Sequence, residues 1–353
     1  MARRKRKHGM VTMKDIAERV GVAQSTVSAV LNNRPYCYIS QAKREKIVQT
    51  ARELNYIPNQ MSRALRGISI RTIGLINSPF SSQPQNDLTR HITNELWRRD
   101  YQVMSLYSHK REEADRKMVQ NLVGFGVDGL IVHTDQLVGD LAEMVPSHLP
   151  AVCFNHHGED CDAFIDRHRG GELAARHLFD LGHRRLAFMA SEIDSNIEKL
   201  AGFRDAHIDA EIPWEDSHTI TYGEFVDDGL RTITDRIRRG GITGVFTYND
   251  ITAAQLLRHL QQEGIRVPEE VSIVGFDGEN FTRWVLPTIT TIRQPSEKLA
   301  HALVSRLVDQ LQGMKVPSEP DVIEPELQEG GSTGAVRESS QEAAVGSQGQ
   351  DGG

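Results

Sequence analysis

The chain has 353 residues and a formal net charge of −7, long enough for one small domain and a large one. Its apolar runs all fall short of the eighteen or so residues a membrane span needs. Its three cysteines, Cys37, Cys153 and Cys161, cannot all pair, so a reducing cytoplasm is the expected setting.

The charge is unevenly spread. The first 66 residues carry 14 Lys+Arg and 4 Asp+Glu, a net of +10, whereas the remaining 287 carry 27 and 44, a net of −17. Such asymmetry points to nucleic acid at the basic end. Residues 1–10, with the run Arg3-Arg4-Lys5-Arg6-Lys7, read as a disordered arm that adds phosphate contacts. No apolar h-region follows it, which argues against a secretory signal.

Residues 11–57 read as a helix–turn–helix head. Thr12 is placed to cap a helix whose apolar residues, Met13, Ile16, Ala17 and Val20, follow an i, i+3, i+4, i+7 spacing. Gly21 supplies the turn. A second helix, 24–31, buries Val27, Val30 and Leu31 and presents Gln24, Ser25, Ser28 and Ala29 on its other faces, a shape that fits a major groove. A third helix, from Ser40 to about Asn55, closes the core with Ile47, Val48, Ala51 and Leu54. Residues 58–70 then read as a short polar helical segment and linker, too short to be a stable helix alone in water.

From residue 71 short apolar runs alternate with amphipathic stretches. Strands are expected at 72–76, 102–106, 129–132, 151–154, 186–189, 244–247 and 271–275, and helices at 88–99, 112–124, 170–181, 226–238 and 251–263. This alternation implies βαβ units and parallel sheets, with more strands than one compact sheet wants, hence two lobes with a ligand between them. The two-lobed core is set at 71–334, and 335–353, rich in Gly, Ser, Gln and Glu, reads as a disordered tail.

These residues carry a specific likeness. Val11-Thr12-Met13-Lys14-Asp15-Ile16-Ala17, Gly21-Val22, Thr26-Val27-Ser28 and Val30-Leu31-Asn32 resemble the N-terminal head of the lactose-repressor/galactose-repressor family of bacterial regulators. Leu54-Asn55-Tyr56-Ile57-Pro58-Asn59 and Ser62-Arg63-Ala64-Leu65-Arg66 resemble its hinge helix. Thr72-Ile73-Gly74-Leu75, Leu181-Gly182-His183-Arg184-Arg185, Asn249-Asp250, Val274-Gly275-Phe276-Asp277 and Thr290-Thr291-Ile292-Arg293-Gln294-Pro295 extend the likeness to about residue 334. One departure is segment 34–40, about two residues longer than usual. The resemblance implies an all-α helix–turn–helix head on an α/β two-lobed, periplasmic-binding-protein-like core with parallel sheets and an interlobe ligand cleft. It also implies lobe crossovers near Asp166 and Pro287, with helix 296–312 returning to the first lobe.

The resemblance puts the DNA contacts at Thr12, Met13, Gln24, Ser25, Thr26, Ser28, Ala29 and Asn32. Gln24 is the strongest reader, since its amide can pair bidentately with adenine. Ala29 stands where many relatives carry Arg or His, so the operator should differ at that base. Arg63 and Arg66 fall on phosphates, and Leu65 is implied as an apolar wedge between base steps that kinks the duplex. In the core, a polar residue after a parallel strand faces the crevice where ligands bind. That rule selects Asn155, Asn249 and Asp277, with Asn77 and Ser78 ending the first strand. The resemblance adds Lys199, where relatives usually have Arg, a point charge in place of a bidentate fork.

Other readings fail. Gly124-Phe125-Gly126-Val127-Asp128-Gly129 fits G-x-G-x-x-G as a string but closes a helix and opens a strand, the reverse of a dinucleotide site. His156-His157-Gly158-Glu159-Asp160-Cys161-Asp162 matches no zinc spacing, and no G-x-S-x-G elbow occurs. Neither a metal nor a cofactor is expected, and no enzyme. A transport solute-binding protein would share the core but begin with a signal peptide. A DNA-binding protein regulated by abundance alone would keep the head and lose effector control. The expectation is therefore a cytoplasmic, homodimeric transcriptional regulator, a repressor of carbohydrate genes by preference. It would bind double-stranded operator DNA, with a sugar-like effector in the cleft changing operator affinity.

Overall fold

Thr12 opens the first helix with a reciprocal cap. Its hydroxyl accepts from the Asp15 N–H at 3.4 Å, and its own N–H donates to the Asp15 carboxylate at 2.7 Å. The computed structural model describes residues 11–32, 38–57, 69–77, 82–108, 111–133, 141–155, 160–191, 197–215, 218–222 and 228–336. Contacts divide the chain into two units, Met1–Ile68 and Ser69–Gly353. In the first, helices α1 (Met13–Val20), α2 (Gln24–Leu31) and α3 (Gln41–Glu53) enclose a core of Ile16, Ala17, Val27, Val30, Ile47 and Ala51. Gly21 ends α1 at φ 73°, the left-handed turn a helix–turn–helix needs.

Among the described residues the second unit contains two six-stranded sheets. In chain order lobe 1 begins with β1 (Thr72–Asn77), α4 (Gln83–Trp97), β2 (Gln102–Tyr107), α5 (Glu112–Phe125), β3 (Gly129–His133), α6 (Leu141–Met144), β4 (Ala151–Phe154) and β5 (Ala163–Ile165). Lobe 2 follows with α7 (Arg167–Asp180), β6 (Leu186–Ser191), α8 (Ile197–Asp209), β7 (Thr219–Tyr222), α9 (Asp228–Arg238), β8 (Gly244–Thr247), α10 (Asp250–Gln262), β9 (Ser272–Asp277), a 3-10 turn (Asn280–Arg283) and β10 (Thr290–Arg293). Then come α11 (Ser296–Leu311), β11 (Asp321–Ile323) and β12 (Glu326–Gln328). The sheet orders are β11-β5-β4-β3-β1-β2 and β12-β10-β9-β8-β6-β7, all neighbours parallel except β12 on β10.

The central strands of each sheet are buried on both faces, which is why they read as nearly unbroken apolar runs. In lobe 1, α4 and α11 cover one face through Leu88, Ile92, Leu96, Leu303 and Leu307, and Val119 and Leu122 of α5 pack beneath the other. In lobe 2, α9 and α10 cover one face through Ile233, Leu256 and Leu260, and α7 and α8 the other through Ala174, Leu178 and Phe203.

Several expectations are corrected. The second crossover is not near Pro287. The chain stays in lobe 2 through Arg293, because β10 continues the sheet beside β9, and it leaves at Gln294 and Pro295. A further crossing joins β11, paired with β5 in lobe 1, to β12 in lobe 2. Helix α4 starts at Gln83 rather than Leu88, since Pro84 is tolerated in a first turn. The core does not end at 334. The Val336 N–H donates to the Leu181 carbonyl at 2.9 Å, so two residues assigned to the tail are held on lobe 2. Gly126 caps α5 at φ 78°, as a helix-ending glycine should. Among the described residues no helix is long and apolar enough to cross a membrane.

Candidate functional site

In the head, α2 buries Val27 and Val30 and leaves Gln24 and Ser25 exposed, with Thr26, Ser28 and Ala29 half-buried. Gln24 therefore presents its amide at the N-terminal turn of the second helix, the part of such a motif that meets base edges. Three other residues are engaged locally. The Thr12 hydroxyl serves the α1 cap, Met13 packs on the head core, and the Asn32 amide donates back to the Ser28 carbonyl at 2.7 Å. Arg63, Leu65, Arg66 and Ser78 lie outside the described residues.

In the core, topology decides where the strand ends point. The chain leaves lobe 1 from the C-terminal end of β5 and leaves lobe 2 from the C-terminal end of β10. Both strands run parallel to the main strands of their sheets, so the C-terminal edges of both sheets face the seam between lobes. On the lobe 1 edge, β1 ends in Asn77, buried and donating to the Ser105 hydroxyl at 3.1 Å, and Asn155 follows β4, also buried. His133 closes β3 between them and stacks on Phe154 with centroids 4.3 Å apart.

On the lobe 2 edge, β9 ends in Asp277, whose φ of 118° is unusual for an L residue. The surroundings hold that strain in place. Gly278 N–H donates to the Thr291 hydroxyl at 3.2 Å, Glu279 N–H to the Asp250 carboxyl at 2.7 Å, and Gln294 Nε2 to Asp277 Oδ1 at 2.6 Å. Lys199 comes from α8, with its ammonium 3.9 Å from the Phe276 ring centroid and donating to the Tyr248 carbonyl at 2.6 Å. Burial pushes the Lys199 amine down to about 7 while the nearby Asp277 charge opposes that fall. Burial likewise raises the Asp277 carboxyl, against the pull of Lys199 and Gln294. Asn249 plays a different part from the one its position suggested: its side chain caps α10, accepting the Thr252 N–H at 2.8 Å.

Sequence reasoning missed His133, Asp250 and Gln294. His133 obeys the same rule as Asn155, a polar residue closing an apolar strand run, and could have been found by it. Asp250 carried no such signal. It is fully buried at the start of α10, accepts from Thr291 and from Glu279 N–H, and burial raises its carboxyl well above the usual range. Gly275 leaves room for it, since a Cβ there would lie 2.2 Å from the Asp250 carboxyl oxygen. Of the histidine-rich segment 156–162, residues 156–159 are outside the described set, and the Asp162 carboxylate accepts the Cys153 N–H at 2.7 Å.

Comparison with known proteins agrees with both halves. Residues 12–59 match the bacterial regulatory proteins of the lacI family, and residues 175–333 match the periplasmic binding protein-like domain. The HTH-type transcriptional repressor PurR of Vibrio parahaemolyticus serotype O3:K6 (strain RIMD 2210633) is 30% identical over 327 residues, spanning 90% of this chain and 97% of the relative. PurR of Vibrio atlanticus (strain LGP32) is 29% identical over 329 residues, spanning 89% and 98%. Among solved structures, a lac repressor dimer bound to operator and the anti-inducer ONPF superposes with a TM-score of 0.80 at 26% identity, covering 92% of this chain and 100% of that one. A transcriptional regulator CelR–cellobiose complex gives 0.63 at 26% identity, covering 91% and 99%. The chain belongs to the lacI family of bacterial regulatory proteins and is a transcriptional regulator that binds DNA.

Proposed function

We propose that this regulator is a homodimeric, cytoplasmic repressor whose operator affinity is set by a small polyhydroxylated molecule, most simply a sugar, bound between the lobes. It acts by binding and not by catalysis. The observation that carries the reading is the Asp277–Lys199 pair at the lobe 2 edge, opposite the amides of Asn77 and Asn155. A carboxylate accepts from ligand hydroxyls, and a buried ammonium and two amides donate to them. The similar regulator CelR holds cellobiose and the similar lac repressor an anti-inducer; the first supports a carbohydrate class without specifying one. The parts are a basic arm (1–10), a reading head (11–57), a hinge and linker (58–70) in which Arg63, Leu65 and Arg66 meet DNA, and the ligand-binding and dimerisation core from 71.

Reading by the head is tested at Gln24. Gln24→Ala should cost about 1–3 kcal/mol on the cognate operator and relax preference at one base pair. Titrations on cognate and scrambled duplexes measure this. Equal weakening on both would reduce Gln24 to a backbone contact.

Dimerisation is assigned to lobe 2. Trp284 and Leu286 are 78% and 81% exposed, and Ile251 adds an exposed apolar side chain on α10. The segment from Glu279 to Leu286 runs along that helix, with Glu279 bonded to Asp250 at its start and the Leu286 carbonyl to Gln261 near its end. Large apolar side chains left bare on one flank fit a second copy, since desolvated aromatic anchors dominate interface energies. Leu286→Glu should shift the chain to monomer in light scattering at micromolar concentration, while deletion after Val336 should leave the dimer unchanged. A Leu286→Glu protein that remained dimeric would place the interface elsewhere.

A further inference from the structure

Helix α4 of lobe 1 begins without a side-chain cap of its own, because the Ser82 hydroxyl makes no bond to the first turn. An uncapped helix start leaves N–H groups to be satisfied by something else, and favours an anion there. Here that group comes from the other lobe. The Glu279 side chain, buried in the turn that follows Asp277, lies against that first turn: burial and the neighbouring Asp277 charge raise its carboxyl, and the Gln83 N–H pulls it back down. Gln83 returns the contact, its Oε1 accepting the Asn280 N–H at 2.8 Å. The Gln83 amide is oriented by its own Nε2, 3.3 Å from the Asp87 carboxylate, and the first turn of α4 is fixed in lobe 1 by the Ser296 hydroxyl on the Pro84 carbonyl at 3.1 Å. Around this clasp the seam is a polar cavity of about 200 Å³, so water can replace its bonds when the lobes part.

We propose that Gln83 and Glu279 form a reciprocal clasp in which lobe 2 caps a lobe 1 helix, so that lobe opening uncaps α4 and carries the state of the Asp277 turn into lobe 1. The two are positioning residues: neither needs to touch a ligand. The inference rests on the reading of Asp277 as a cleft residue, but its test needs no ligand.

The test is hydrogen exchange on the full chain, free and bound to a duplex carrying the operator recovered by genome-wide footprinting. Exchange reports the free energy of local opening even where the open form is rare. In the parent, peptides covering 82–88 and 278–283 should change protection together on DNA binding, by at least about fivefold, the lower end of usual coupling between sites. Gln83→Met keeps the side-chain length and removes the acceptor for Asn280. Glu279→Ala removes the cap and leaves the Asn280 bond. Each should speed exchange in the free protein at least about twofold, the loss of one hydrogen bond, and shrink the DNA-dependent difference. Parent peptides that exchange alike with and without operator would overturn the clasp as a coupling device. So would a DNA-dependent difference that survived intact in both variants. Failure of the cleft reading would show separately, as unchanged ligand binding in an Asp277 variant.

Discussion

Alanine at Gly202 should lower the melting temperature of the core by about 6–12 °C. A Cβ at Gly202 would lie 1.8 Å from the His168 carbonyl oxygen, and one at Gly171 would lie 2.0 Å from the Lys199 carbonyl oxygen. Helices α7 and α8 thus cross backbone to backbone, each supplying the glycine that admits the other. The obstructing atoms are main chain and cannot rotate away, so the helices must separate. Overpacking of this kind costs about 3 kcal/mol, and each kcal/mol moves the melting temperature about 2–4 °C in a domain of this size. Gly124 in α5 provides a control of opposite sign. Nothing lies within 4 Å of its Cβ position, and Gly124→Ala should stabilise by about 0.5–1 kcal/mol. Calorimetric scans of both variants decide it, and a Gly202→Ala core as stable as the parent would mean the crossing is loose. The effect should also reach the cleft. Lys199 stands three residues before Gly202 on the same helix, so a displaced α8 withdraws its ammonium from the Tyr248 carbonyl.

Asp277→Ala should sharply weaken effector binding while leaving ligand-free operator binding intact. Each hydrogen bond between a ligand hydroxyl and an ionised carboxylate contributes about 1.5–3 kcal/mol, so losing one reduces affinity roughly 10- to 150-fold. The head lies in a separate unit and keeps its own core. Asn249→Ala should behave differently. Its side-chain oxygen is spent on the α10 cap, so the main loss is about 1 kcal/mol of stability, with a smaller fall in ligand affinity. Isothermal titration of residues 69–336, using the sugar that most raises the melting temperature in a panel screen, separates the two. Parent-like affinity in Asp277→Ala would remove this residue from the site.

Much of this was legible because the helical and strand periods are strong here. The head was read almost to the residue, since Thr12, Gly21 and the spacing of Ile16, Ala17 and Val20 all specify the same local structure. The central strands were equally clear, because burial on both faces leaves continuous apolar runs. What escaped were short or peripheral strands such as β5, β11 and β12, three residues each, whose pairing depends on distant neighbours and not on local pattern. The second crossover was misplaced for the same reason: only pairing of Thr290 with Val274 shows that the chain has not yet left lobe 2. Along the sheet edges the strand-end rule picks out positions but not the side chains' employment. Asn249 faces its own helix, and Asp250, one residue on, supports the turn that strains Asp277.

The lobes are joined by three brief spans: Asp166 alone, then Gln294 and Pro295, then Glu324 and Pro325. Two bodies on a single tether can swing and twist in any direction. Three stiff ties a residue or two long act instead like the pins of a door, leaving one easy rotation and resisting twist and slide. Whatever enters between the lobes can therefore move them along essentially one path, and a signal restricted to one path arrives elsewhere in the molecule as a displacement of defined direction.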